Sequence, residues 1–145
     1  MRLTDYTDYA LRTLMYLGVH AGATATIQEI ADAYGISKNH LMKVVHEFGQ
    51  AGYIETSRGR GGGIRLGRPA KEISIGDVVR LAEGEFTLVE CFGPSGNRCV
   101  ITPACKLKTV LKRALDAYMA ELDRYTLADL IDNRAVLVKL LPRRD

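Results

Sequence analysis

The sequence predicts a mainly α-helical chain with one small β-hairpin wing: a winged helix-turn-helix followed by a long C-terminal dimerisation helix. Three observations predict it. Two amphipathic segments, Ile27 to Tyr34 and Lys38 to Gln50, are separated by a turn at Gly35. The glycine-rich run Gly59-Arg60-Gly61-Gly62-Gly63 joins two stretches of strand character, Tyr53 to Arg58 and Ile64 to Leu66. Further on, Leu107, Leu111, Ala114, Tyr118, Leu122 and Tyr125 recur at three- and four-residue spacing.

Taken in order, the chain opens with a helix from Thr4, its N-cap, to about His20, with Leu3, Ala10, Leu14 and Leu17 at helical spacing and Gly22 beyond its end. Thr26 caps the second helix, and Ser37 caps the third. Ile27, Ile30, Ala31, Tyr34, Ile36, Leu41, Val44 and Phe48 fall where two crossed helices bury apolar or small side chains. After the hairpin, Ser74 caps a helix from Ile75 to about Glu83. Gly84 to Pro103 reads as a loop, followed by a long helix from about Ala104 to Arg124 and a short one from Leu127 to about Asp132. The tail ending Pro142-Arg143-Arg144-Asp145 is expected to fray. The organisation is therefore a DNA-binding unit over 1–83, a cysteine-bearing loop over 84–105, and a dimerisation helix with its tail over 106–145.

Composition narrows the function. A chain of 145 residues, 47% hydrophobic and 26% charged, has the makeup of a single soluble domain. No apolar run is long enough to span a bilayer, and acidic residues stand early in the chain where a signal peptide needs basic then apolar ones. A cytoplasmic protein with no membrane partner is expected. Thiols stay reduced there, so three cysteines suggest a metal or redox role before a disulfide. No nucleophile–base pairing is legible: Ser37 and Ser74 read as caps, and His20, His40 and His46 lie in or beside the helix pair, so the chain is not expected to be an enzyme. The run from Arg58 to Leu66 also lacks the lysine–hydroxyl ending of a phosphate-binding loop.

Charge is concentrated. Between Ser37 and Lys71 seven basic residues face only Glu47 and Glu55, whereas the rest of the chain is slightly acidic. This block coincides with the helix pair and hairpin, as a DNA-binding surface requires. Ser37, Lys38, Asn39, His40 and Lys43, near the start of the third helix, are the candidate reading residues. Asn39 and His40 suit base edges, and Lys38 and Lys43 suit phosphates. Arg58 and Arg60 flank a tip able to reach phosphates or the minor groove. The apolar stripe Leu107, Leu111, Ala114, Tyr118 and Leu122 needs a partner, and a two-fold dimer on operator DNA supplies one. The alternative is a helix folded back on its own domain.

Cys91, Cys99 and Cys105 form a C-x7-C-x5-C pattern, unlike the paired CxxC of zinc ribbons and the tight runs of bacterial ferredoxins. A Gly/Pro loop carrying thiols, with helix N-terminal amides near Cys105 and Arg98 and Lys106 close by, can wrap a metal group. Three sulfurs leave a fourth position open, and spacing does not choose iron–sulfur over zinc. Asp8, read alone, pairs with Arg12 one turn on or favours the helix N-terminus.

The order Thr7-Asp8-Tyr9-Ala10-Leu11-Arg12, Tyr34-Gly35-Ile36-Ser37-Lys38-Asn39-His40, Ala51-Gly52-Tyr53, the run Arg58 to Ala70 and Ile75-Gly76-Asp77-Val78-Val79-Arg80 resembles the Rrf-type winged-helix regulators. Thr102-Pro103-Ala104-Cys105 and Tyr125-Thr126-Leu127-Ala128-Asp129-Leu130 resemble their NsrR branch of nitric-oxide-sensing repressors. The resemblance covers nearly the whole chain. It implies a homodimeric repressor of palindromic operators with one iron–sulfur cluster per subunit, [4Fe-4S] in the first instance with [2Fe-2S] open. The implied ligands are Cys91, Cys99 and Cys105, with Asp8 of the partner subunit as the fourth, and nitric oxide is the implied signal. One departure stands out. The spacing between the first two cysteines is longer than in closer NsrR relatives and resembles RirA-type iron regulators, which usually carry a different residue at the position of Asp8. Two alternatives follow: a sensor of iron or cluster supply, and a zinc-stabilised DNA-binding protein with no sensing role.

Overall fold

The first helix organises the molecule, because two apolar faces converge on it. The computed structural model describes residues 2–143. Helix α1 spans Asp5–Val19, and the Thr4 hydroxyl accepts the Thr7 N–H at 3.3 Å as its N-cap. Ala10, Leu14, Leu17 and the hydroxyl-bearing Thr7 and Thr13 are buried along it. It packs on the helices that follow: α2 (Ile27–Tyr34), α3 (Lys38–Gln50) and α4 (Ile75–Glu83) complete a bundle with Ile30, Leu41, Val44, Phe48, Val78 and Val79 in its core.

The start of α2 is set by a reciprocal cap, with Thr26 and Glu29 each satisfying the other's backbone N–H. Its end is set by Gly35, whose φ of 65° is left-handed and favours glycine. Ser37 sits at the N-cap of α3, but its side chain makes no capping hydrogen bond, so the expected hydroxyl cap is absent. The wing pairs β1 (Ile54–Ser57) antiparallel with β2 (Gly63–Leu66), and Glu55 stands opposite Arg65. Ala25 adds a short third rung, exchanging two backbone hydrogen bonds with Ile64 at 2.7 and 2.9 Å. A Cβ on Gly63 would come within 2.6 Å of the Ala25 carbonyl oxygen, so glycine permits this close approach.

Beyond α4, the segment from Gly84 to Cys105 holds only two short 3-10 turns, Glu90–Phe92 and Thr102–Ala104. The long helix α5 runs Lys106–Leu122, starting two residues later than expected. Pro103 lies in the second 3-10 turn and Cys105 is extended (ψ 106°), so the α-helical geometry begins after it. Helix α6 is Leu127–Leu130, shorter than expected. Its Leu127 is fully buried against α1, and backbone hydrogen bonds join Ile73 and Ile75 to Leu127 and Tyr125.

A further helix, α7 (Arg134–Leu140), was not expected. The frayed tail is corrected as far as Arg143. Leu141 is buried, its carbonyl oxygen lies 2.9 Å from His20 Nε2, and Arg143 donates to the Thr24 carbonyl at 2.9 Å. Arg144 and Asp145 lie outside the described residues. The C-terminal segment thus shares the core of the DNA-binding unit through Leu127 and Leu141.

Candidate nucleic-acid interface and cysteine loop

Helix α3 divides its residues by burial. Leu41, Val44, Val45 and Phe48 face the bundle, and Lys38, Asn39, His40, Met42, Lys43, His46 and Gln50 face out. Ser37 is also exposed, just before the helix. The candidate reading residues therefore share one open surface. His40 sits at its edge, with its ring stacked on Tyr9 of α1 at 5.9 Å between centroids. Tyr6 of α1 donates its hydroxyl to Glu47 of α3, and burial first, then the Glu47 carboxylate, pushes the Tyr6 hydroxyl pKa up. Helix α1 thus supports α3 through polar contacts as well as its buried face.

The basic block separates into two groups. Arg65 donates to Glu55 across the wing through two 3.1 Å hydrogen bonds. Arg68 lies 4.3 Å over the Tyr53 ring and donates to the Ala51 and Gly52 carbonyls. Arg65 thus braces the hairpin across its own strands, and Arg68 ties the base of the wing to the chain just after α3. Lys38, Lys43, Arg58 and Arg60 are exposed and make no ion pair among the described residues, leaving their charge for an anionic partner.

The cysteines are all free thiols: Cys91 and Cys105 are half-buried and Cys99 is exposed. Cys105 is the N-cap of α5, its Sγ accepting the Lys108 N–H at 3.4 Å. Cys91 borders an open hollow of about 520 Å³ lined by Phe86, Phe92, Lys108, Lys112, Arg113 and Leu115. Among the described residues no three His, Cys, Asp or Glu side chains are gathered as a metal-binding group, so the structure does not bring the predicted thiols together. Asp8 is half-exposed in the first turn of α1 and pairs with Arg12 at 2.9 Å, the local role its spacing predicts.

Sequence reasoning passed over the fastening of that first turn. Glu83, the last residue of α4, accepts hydrogen bonds from the Thr4 N–H (2.7 Å), the Thr4 hydroxyl (2.9 Å) and the Thr7 hydroxyl. Burial pushes the Glu83 carboxyl up, but these donors outweigh it and hold it below the usual carboxylate range. The cysteine loop begins at the next residue, so one carboxylate ties the root of the loop to the turn that carries Asp8.

On α5 the predicted stripe splits. Leu107 is 61% exposed and Ala114 is also open, Leu111 is intermediate, and Tyr118 and Leu122 pack against the chain's own core. Val110, which the stripe omitted, is 60% exposed one turn from Leu107. Its signal was the three-residue step from Leu107.

Comparison with known proteins agrees with this architecture. The family model described as "Rrf2: Iron-dependent Transcriptional regulator" matches residues 3–133. The chain is 54% identical over 146 residues to the HTH-type transcriptional regulator NsrR of Bacillus subtilis (strain 168), covering 100% of both chains. It is 53% identical over 142 residues to the protein of the same name in Bacillus licheniformis, covering 97% of this chain and 99% of that one. Among solved structures it resembles the oxidized form of Staphylococcus aureus CymR, with a TM-score of 0.72 and 31% identity over 90% of this chain and 95% of that one. A helix-turn-helix with a basic hairpin wing defines a DNA-binding transcriptional regulator. The chain belongs to the Rrf2 family of such regulators. No described helix is long and apolar enough to cross a membrane.

Proposed function

We propose that the chain is a homodimeric transcriptional repressor that binds palindromic operator DNA and senses nitric oxide through an iron–sulfur cluster. The observation that carries this reading is the full-length similarity to NsrR regulators in a chain whose three thiols all lie between the end of α4 and the start of α5. Two copies of α3, presented one DNA turn apart, read a palindrome.

The residues present suit such a group. Three free thiols supply soft anionic donors, Cys105 is seated on helix amides, and the hollow beside Cys91 is lined by Lys108 and Arg113, whose charge complements an anionic thiolate-bound centre. Because the structure does not gather the three thiols, holding the group would require the exposed stretch 94–101 to bring Cys99 to the others. When bound, the cluster supplies iron that nitric oxide attacks. Cys91, Cys99 and Cys105 would hold it within one subunit, and Asp8 of the partner subunit would complete the set and tie α1 of that partner to the loop. Helix α1 braces α3 through Tyr6–Glu47 and Tyr9–His40, so a ligand role for Asp8 would couple the cysteine loop to the placement of the reading helix. A coupling of about 1–3 kcal/mol is enough to change operator occupancy tens-fold.

The test is anaerobic purification followed by nitric oxide titration, with visible absorbance and operator affinity read on the same sample. Bleaching that parallels loss of affinity is the expected result. A colourless protein after anaerobic reconstitution, or affinity indifferent to nitric oxide, overturns the sensing role. A second reading, a regulator of iron or cluster supply, is favoured by the seven residues between Cys91 and Cys99 and by the description of the family model. In that case affinity follows iron chelation and ignores nitric oxide.

A further inference from the structure

We infer that Met42 reads thymine in the major groove, its side chain packing on a 5-methyl group in each half-site. This rests on the reading of the chain as an operator-binding regulator.

Three observations point to it. Met42 is 50% exposed, away from the buried face formed by Leu41, Val44, Val45 and Phe48. Every other large hydrophobic exposed among the described residues lies at Val100 or beyond, so the DNA-binding unit shows one such side chain and shows it on α3. The spacing Asn39–Met42–His46 places Met42 on a ridge of the outward surface, next to Lys43. The charge selects the kind of partner, since Lys38 and Lys43 on α3 and Arg58 and Arg60 in the wing are exposed cations that make no ion pair among the described residues.

On that surface an apolar side chain has one matching feature on base edges in the major groove, the methyl group of thymine. A thioether is unbranched and flexible, so it follows the methyl through small changes of docking. Asn39, one turn earlier, suits the N6 and N7 edge of adenine. Together the two residues favour neighbouring A·T pairs, with phosphate-directed lysines fixing the register. Burying one methyl is worth about 0.8 kcal/mol, which corresponds to about fourfold in affinity per half-site.

The experiment uses full-length protein purified anaerobically. Duplexes are enriched from a random-sequence pool, and the winning duplex is then made twice, with thymine or with deoxyuridine in its half-sites. The expected result is about fourfold weaker binding per half-site on the uracil duplex for the native chain. Met42→Ala should bind both duplexes alike, and Met42→Leu should keep the thymine preference. Equal affinity of the native chain for both duplexes, or an undiminished thymine preference in Met42→Ala, overturns the inference and leaves the regulator reading standing. Failure to enrich any duplex overturns both.

Discussion

Of the large hydrophobic side chains exposed among the described residues, Met42 belongs to residues 2–83, and the other eight run from Val100 to Leu140. Burial is skewed the other way: of the 21 hydrophobic residues in the core, only Met119, Leu127 and Leu141 come from residues 84–143. The N-terminal unit therefore supplies most of the core. The C-terminal part lends three anchors to that core and leaves its remaining apolar surface to be covered from outside. Exposed apolar surface gathered in one part of the chain suits the proposed regulator, which would read DNA as a pair.

The largest effect is expected inside the core. Phe48 is fully buried on α3 and meets Tyr53 at 5.6 Å between ring centroids. Phe48→Ala should lower unfolding free energy by about 3–5 kcal/mol in denaturant titration. A loss below about 1 kcal/mol would mean that the unit does not depend on its own packing. The paired change Leu107→Asp with Val110→Asp should do the opposite. Both side chains are exposed in the single chain, so far-UV circular dichroism should hold while analytical ultracentrifugation shows the dimer replaced by monomer. An intact dimer would move the interface off this face of α5.

How much of this was legible in the sequence depends on where the deciding interaction lies. The bounds of α2 and α4 follow from Thr26 and Ser74, whose hydroxyls accept backbone N–H groups within their own first turn. The wing followed from glycines and strand formers, which are also local signals. Helix α7 was missed because Asn133 gives it no side-chain cap and its place is fixed by distant contacts, Arg134 to the Val19 carbonyl at 2.6 Å and Leu141 in the core. The open face of α3 was legible because exposure on a helix follows from its periodicity. The cysteines were found as residue types, but their arrangement depends on a loop with little regular structure, and no local pattern encodes that. The Glu83 knot was invisible for the same reason, since its partners lie 76 and 79 residues away.

That knot gives the next test, because it is the polar tie between the root of the loop and α1. Its carboxyl is held below the usual range when folded, so its contribution is complete at neutral pH and is lost as pH falls through the folded value. Glu83→Ala should cost about 1 kcal/mol at pH 7, near the low end for hydrogen bonds to a charged group because the carboxylate is open to water. As pH falls below the ordinary carboxylate range, the gap between the two proteins should narrow in thermal melts. A cost that does not change with pH would mean that the side chain acts by packing.

The smallest expected effect on stability separates the two roles of Asp8. Its ion pair with Arg12 is an i,i+4 contact between half-exposed side chains, so Asp8→Ala should change unfolding free energy by only a few tenths of a kcal/mol. The proposed role as ligand to the partner's cysteine loop predicts a much larger change elsewhere: faster bleaching of the visible absorbance in air and a weakened response of operator affinity to nitric oxide. Asp8→Asn is the sharper variant, since it keeps the shape and removes the charge. If both variants keep the native bleaching rate, Asp8 serves the helix alone, and the two subunits are joined only through the apolar face of α5. If the bleaching rate rises while the melt is unchanged, the first turn of α1 serves its partner's loop more than its own helix. The half of the molecule that supplies most of the core would then also supply a contact to the open half.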